Sequence, residues 1–329
     1  MSDNCSFSEI RSRIDSADTI LIATHSKPDG DAIGSALALA EFLKSQGKKV
    51  SAVLPDGIPE LYAITQYDFL REAGDGAAYD LVILLDTAAP ALAGFDKNGG
   101  VPDWAFEKLQ VIDHHKDNPR YGKWNYVVNR AATAEIVFEL CESWGVAVGE
   151  QTASLALMGL LTDTGGLRFN NTDPAALRSA ARMLEAGADH NKVVNQIYFN
   201  KPYNQQQFEA ELLSCCIHWA FNKKAALATV PQEMLDKYNF NLRNAEGVID
   251  ELRAIAGTEV VAMITYRGEQ NYRISLRSKN PARPVDALAR SFGGGGHAMA
   301  AGMSMQASSL DEVSEIFARE VKKLFPNEE

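Results

Sequence analysis

The 329-residue chain is poor in cysteine: Cys5, Cys141, Cys215 and Cys216 are its four, and none belongs to a C-x-x-C pair. That argues against a disulfide scaffold and a thiolate zinc site, and in favour of incidental thiols in a reducing compartment. No apolar run approaches the ~20 residues needed to cross a bilayer, and the opening MSDNCSFSEI is polar, with no hydrophobic signal region. The expectation is a cytoplasmic protein without a membrane partner. Basic residues are in deficit, 32 Lys+Arg against 43 Asp+Glu, for a net charge of −11. This disfavours a protein that grips long duplex nucleic acid through a basic face. A small anionic ligand stays compatible, because a local pocket of arginine, amides and metal can be positive on an acidic body. Internal repeats are absent, and the one low-complexity feature is a run of four glycines, 293–296.

What is present is apolar sequence, 46% of the chain, in an alternation of strand-like and helix-like segments. Strands are expected at 19–25, 48–55, 81–86, 108–113 and 126–129. Helices are expected at 31–47, 133–144, 150–161 and 173–187, the last opened by Asp173 as N-cap and Pro174 at the first position. Such alternation implies a parallel sheet flanked by helices. Residues 189–218, rich in Gln and Asn with Pro202 inside, read as a helical connector. Beyond them strands at 225–231, 260–268 and 271–278, the last two joined by an RGEQN turn, mix with helices at 244–256, 284–292 and 311–325. The predicted organisation is therefore an α/β domain over 1–188, the connector 189–218, and a smaller α+β domain over 219–329.

Polar residues recur where the apolar runs stop. His25, Asp29 and Asp31 lie in THSKPDGD, Asp86 in LVILLDT, Asp113, His114 and His115 in VIDHH, and Asp163 in LLTDTG. The carboxyl ends of parallel strands converge on one crevice, so these residues should meet. Crowded carboxylates raise each other's pKa. Bound divalent cations relieve the repulsion, and imidazoles among oxygen ligands favour a transition metal. Singly, Asp29 and Asp31 could be a turn residue and a helix cap, Asp86 a strand-end cap and Asp163 a loop residue; two adjacent imidazoles beside Asp113 make no comfortable core. In the second domain Gly293, Gly294, Gly295 and Gly296 precede His297, a backbone nest and an imidazole suited to phosphate. The following AMAAGM reads as a helix-like run packed behind that loop. Arg277 and Ser278, at a strand end, are further anion candidates; Arg168 is a weaker one. Tyr266, Tyr272 and Phe292 could stack a base but read first as packing residues.

HxxPDGD, the strand-end Asp, the DHH triplet, TDTG and GGGGHxxAAG together resemble the DHH/DHHA1 phosphoesterase family, in order and over nearly the whole chain. The grouping most similar is that of the nanoRNases and pAp phosphatases. The resemblance implies a DHH catalytic domain, a DHHA1 substrate-binding domain, and hydrolysis of short oligoribonucleotides or of 3′-phosphoadenosine 5′-phosphate (pAp) to mononucleotides. It implies two divalent ions, Mn²⁺ foremost: His25, Asp29 and Asp86 around one, and Asp31, Asp86, His114 and Asp163 around the other. Asp113 would orient the site, His115 would face the scissile phosphate, and Arg277, Ser278, the glycine loop and His297 would hold the substrate. Alternatives are a cyclic di-AMP or pApA phosphodiesterase, an exopolyphosphatase or pyrophosphatase on the same centre, and a silent nucleotide sensor. The oligomeric state, homodimer included, is left open.

Overall fold

The structure, a computed structural model, describes residues 4–240 and 245–326. The chain divides into two compact units, residues 1–200 and 201–329. The stretch 189–218 is shared between them.

Five strands build the first unit's sheet: β1 (Thr19–Ala23), β2 (Lys49–Val53), β3 (Leu81–Leu85), β4 (Leu109–Asp113) and β5 (Trp124–Val127). They pair in the order β2-β1-β3-β4-β5, all parallel. β3 and β4 are buried at every position, as strands covered on both faces must be. The order reverses between β1 and β3, so the crevice at their carboxyl ends is the expected ligand position.

Around the sheet run α1 (Phe7–Ser16), α2 (Gly30–Ser45), α3 (Asp103–Phe106), α4 (Thr133–Glu142), α5 (Glu150–Asp163), α6 (Pro174–Glu185) and α7 (His190–Tyr198). Asp173 caps α6, accepting from the Ala176 amide at 2.9 Å, with Pro174 behind it. α2 is enclosed almost all round and packs closely on α5. A Cβ on Gly34 would lie 2.7 Å from the Gly159 nitrogen and the Leu155 carbonyl oxygen, so this crossing exists because both positions are glycine.

The second unit holds α8 (Tyr203–Cys215), β6 (Ile217–Ala220), β7 (Ala225–Val230), α9 (Gln232–Tyr238), α10 (Ala245–Ala254), β8 (Val260–Tyr266), β9 (Asn271–Ser278), α11 (Asp286–Ser291), β10 (Gly295–His297), β11 (Ala300–Gln306) and α12 (Leu310–Val321). The helix expected from 244 is seen from Ala245; residue 244 lies outside the described residues. The sheet order is β10-β11-β9-β8-β7-β6, antiparallel except for β7 with β8. The RGEQN turn closes the β8–β9 hairpin, with Gly268, Glu269 and Gln270 all left-handed.

Several elements differ from the sequence expectation; α1, α3 and β10 lie in stretches to which no element was assigned. AMAAGM is not helical: residues 300–306 form β11, paired along its length with β9. Its small residues carry no period, and tertiary pairing decides their conformation. β6 is a short, mostly exposed edge strand, and IHWA lacks the alternation that marks a half-buried one. α9, seven residues long, falls in a stretch to which no element was assigned. Among the described residues no helix is long and apolar enough to cross a membrane.

Candidate metal centre

The acidic and imidazole side chains singled out in the first unit reach the crevice from four places: the β1–α2 turn, the end of β3, the end of β4 and the end of α5. His25 stands two residues beyond β1, and Asp86 directly follows β3 with φ 51°. A non-glycine residue rarely adopts that backbone, and such an outlier at a buried carboxylate marks a functional constraint. Asp29 is the N-cap of α2, its Oδ1 accepting from the amides of Asp31 and Ala32, both at 3.0 Å. The capping role suspected for this turn is real, and it falls on Asp29 rather than Asp31. Asp31, in the first turn of α2, accepts from the amides of Thr133 (2.7 Å) and Ala134 (2.8 Å), so its carboxylate sits on the N-terminus of α4. Asp163 is the last residue of α5. It arrives from a helix, while the other three groups follow strands β1, β3 and β4.

These groups converge in three neighbouring sets, the ligand atoms within each lying within 4.8 Å of one another: His25, Asp29 and Asp86; Asp31, His114 and Asp163; and Asp86, Asp113 and His115. The two aspartates of PDGD fall into different sets, and Asp86 joins two of them. His25 Nε2 is 3.9 Å from both Asp29 Oδ1 and Asp86 Oδ2. His114 Nε2 is 3.5 Å from Asp86 Oδ1 and 4.0 Å from Asp31 and Asp163. Those separations are too long for hydrogen bonds. They suit donors spread around one ion at about 2.0–2.2 Å each.

The outward nitrogens agree with that arrangement. Nδ1 of His25 is 2.9 Å from the Ser26 carbonyl, and Nδ1 of His114 is 3.2 Å from that of Arg130. With Nδ1–H donating to the backbone, each Nε2 is left facing the carboxylates, the arrangement that fixes a ligating imidazole. His115 is different: its Nδ1 lies 2.7 Å from Asp113 Oδ1, which also accepts from the amides of His114 and His115. Asp113 is fully buried and its other oxygen accepts from Asn118 Nδ2 at 2.6 Å. It therefore orients the DHH turn.

Electrostatics report the same crowding. Burial, then the Asp86 charge, pushes the Asp31 carboxyl up to about 8. Burial raises Asp163 to about 7, and burial followed by Asp29 raises Asp86 to about 6. For the imidazoles burial acts against the charge and is outweighed: Asp29 and Asp86 carry His25 up to about 10, Asp163, Asp86 and Asp31 carry His114 to about 10, and Asp113 carries His115 to about 9. The donor chemistry, spacing and unrelieved negative charge fit divalent cations.

Several supporting residues carry no sequence signal. Thr133 Oγ1 donates to Asp86 Oδ1 at 3.0 Å, Asn118 also donates to the Thr87 carbonyl at 3.1 Å, and Asn171 Nδ2 donates to Asp163 Oδ2 at 3.2 Å. Each is a lone polar residue outside the motifs that mark the site. Arg168 turns back on its own loop, Nε donating to the Gly165 carbonyl.

In the second unit Arg277 and His297 come level across the sheet: Arg277 pairs with Ala300, and Ala300 with His297. Arg277 Nε lies 3.7 Å from Asp250 Oδ1. Ser278 is buried, and its hydroxyl is engaged with the 280 turn, accepting from the Asn280 amide at 3.1 Å. Gly293 leaves α11 in a left-handed turn, while Gly295 and Gly296 belong to β10. Cβ atoms on Gly294 and Gly296 would strike the backbone of β11, so close strand packing accounts for those two glycines. Tyr272 is buried and pairs with Tyr266 at 5.4 Å between centroids, and Phe292 packs on the core, as packing residues do.

A parallel sheet of this order, with carboxylates and imidazoles gathered at its switch point, defines an α/β protein with a candidate multi-metal centre. The chain belongs to the DHH family of phosphoesterases: residues 19–160 match the DHH family N-terminal domain and residues 222–323 the DHHA1 domain. It is 32% identical to the bifunctional oligoribonuclease and PAP phosphatase NrnA of Thermus thermophilus, over 90% of this chain and 87% of that protein. It is 30% identical to the protein of the same name from Bacillus subtilis, over 92% and 93%. An exopolyphosphatase-related protein from Bacteroides fragilis shares the fold with a TM-score of 0.86 at 24% identity, covering 97% of this chain and 96% of that one. The membership expected from the motifs is thus met.

Proposed function

We propose that this chain is a two-metal phosphoesterase that hydrolyses short oligoribonucleotides and removes a phosphate from pAp. One observation carries the reading: Asp86 stands between two acid–imidazole sets whose Nε2 atoms face carboxylates at 3.5–4.0 Å. The substrate class rests on the two NrnA relatives, each matched over most of its length. His25, Asp29 and Asp86 would hold one ion, and Asp31, Asp86, His114 and Asp163 the other. The mixed oxygen and imidazole shell favours Mn²⁺.

Bound there, the ions supply Lewis-acid stabilisation of a phosphoryl group and an activated water. The chain's own residues do the rest. Asp113 holds Nδ1–H of His115, which leaves Nε2 to face the substrate. With Nδ1–H given to the Asp113 carboxylate, His115 would act at Nε2 as the proton donor to the departing ribose oxygen as the P–O bond breaks. Arg277, the glycine loop and His297 would grip a phosphate from the second domain, and Ser278 would act by shaping the turn beside Arg277. Under this reading we place the substrate in the cytoplasm.

The deciding experiment is a product-resolved turnover assay in Mn²⁺ with pAp, pApA, a short oligoribonucleotide, cyclic di-AMP and polyphosphate side by side. Release of AMP or mononucleotides from the first three is expected. Turnover of polyphosphate alone would refute the nucleotide reading. In the same assay Arg277→Ala should raise KM about tenfold or more, the loss of one charge-assisted contact of about 1.5–3 kcal/mol, with bound metal unchanged. Loss of metal in that variant would contradict the role assigned to it.

A further inference from the structure

The second unit's sheet has two unlike faces. One packs on α11 and α12 through Ile264, Ile274, Leu276 and Phe317. On the other, α8, α9 and α10 cover β7 and β8 through residues such as Phe208, Leu252, Val261 and Met263. Register places Arg277 opposite Val261, and hence on this second face, at the margin of the helical cover. Two residues along β9 alternate to the same face, so Arg273 shares it, opposite Ser304, which is exposed, as Arg273 is. Arg267 extends the row: its amide donates to the Asn271 carbonyl at 2.8 Å, so it opposes Asn271 and is a diagonal neighbour of Arg273. Burial and then the adjacent Arg273 charge push the Arg267 guanidinium below its usual range.

Beyond β9 the floor is small. Gly302 lies opposite Ser275, and a Cβ there would fall 2.3 Å from a terminal nitrogen of Arg273, so this guanidinium lies across the strand where only glycine leaves room. Arg273 and Arg277 are four strand residues apart, roughly 13 Å, and His297 lies two strands across from Arg277, roughly 10 Å. On a chain of net charge −11, three arginines and a histidine on one sheet face, set against Asp250 beside Arg277, leave a local excess of basic side chains. Their spacing suits successive anionic groups along a chain better than one phosphate.

We propose that this face is a cationic stripe that carries the backbone of a single-stranded oligoribonucleotide of three or more nucleotides, with Arg267 and Arg273 holding phosphates beyond the one at Arg277 and His297. Arg267 and Arg273 are then determinants of substrate length. The substrate class rests on the phosphoesterase reading above; the stripe itself rests on register and charge.

The test uses the full chain with Arg267→Gln, Arg273→Gln and the double variant. Fluorescence anisotropy of a labelled tetraadenylate is titrated in chelator, where turnover stops, at several salt concentrations. The double variant should bind about tenfold more weakly, and its log K against log salt should be shallower by roughly 1.4, since each phosphate contact on a single strand contributes about 0.7. Unchanged affinity and slope would overturn the proposal. In Mn²⁺, kcat/KM for the tetranucleotide should fall about tenfold through KM while that for pAp stays within about twofold; equal losses for both would also overturn it. If the wild-type protein hydrolyses neither, the phosphoesterase reading fails, and the anisotropy result still decides the stripe.

Discussion

Asp86→Ala and Asp86→Asn should abolish turnover while leaving a folded protein. Asp86 is 2% exposed, follows β3 in a left-handed turn, and lies within 4 Å of His25, His114 and His115. Under the proposed assignment no other residue is shared between the ions. Losing an outer partner of a metal ligand costs about 10–100-fold, so losing the shared ligand should cost at least about a thousandfold in kcat. Folding should survive, because the ionised carboxylate is unfavourable where it stands without metal. Its folded pKa, about 6, lies above its unfolded value near 3.8. A carboxyl raised on folding binds protons more tightly in the native state, so its contribution is most favourable below the unfolded pKa and is lost as pH rises through the folded one. Asp31 and Asp163 act in the same sense up to about 8 and 7. In chelator, the wild type should therefore lose thermal stability between about pH 4 and 8, and Asp86→Asn should lose less. Added Mn²⁺ should raise the wild-type Tm, by about 2.7 kcal/mol of stability at a hundredfold excess over Kd, and raise that of the variant far less. Full activity in a folded, metal-replete Asp86 variant would remove the basis of the proposed centre.

The parts of this centre that sequence discloses are those that end a strand. Leu81–Leu85 is an uninterrupted apolar run and Leu109–Ile112 is broken only by Gln110, and a charged residue closing such a run at a sheet edge has few places to point. PDGD is legible for a related reason: Pro28 and Gly30 shape the turn, and the aspartates two apart are delivered to different clusters. Thr133, Asn118 and Asn171 are not legible, since each acts through one hydrogen bond to a residue 47, 5 or 8 positions away, set by where helices begin and loops return. AMAAGM misleads because its alanines favour helix, while the strand is imposed by pairing with β9. The cationic face is hidden differently. Arg273 and Arg277 alternate with Ile274 and Leu276 as in any half-buried strand, and only the register shows that β10 adds His297 beside them, at the margin of the helical cover.

The second large effect is expected at a position with no polar atom in its side chain. Gly34→Ala should both destabilise the first unit and disable the site. A Cβ at Gly34 meets backbone at 2.7 Å, and one at Gly159 would lie 2.5 Å from Ala134 Cβ and 2.9 Å from Asp31 Oδ1. Backbone cannot rotate away as a side chain can, so α2 and α5 must separate by about an ångström to restore ordinary contact. Overpacking of this kind costs about 1–3 kcal/mol, or roughly 2–12 °C in Tm for a unit of this size. The same separation pulls Asp31, in the first turn of α2, away from Asp163, at the end of α5, and a displacement near 1 Å at a catalytic group costs about a hundredfold. Gly149→Ala is the control: this N-cap of α5 has φ −74° and nothing within 4 Å, so the change should cost only the weaker cap, under about 1 kcal/mol, and leave kcat unchanged. Thermal melts with and without Mn²⁺, read beside kcat, separate the possibilities. A lowered Tm with wild-type kcat would mean that the strain is absorbed away from Asp31 and Asp163. An unchanged Tm would mean that the glycine crossing does not set the helix spacing. The expected loss of both together ties the acidic cluster to the closeness of two helices, a constraint carried by Gly34 and Gly159 rather than by any ligand.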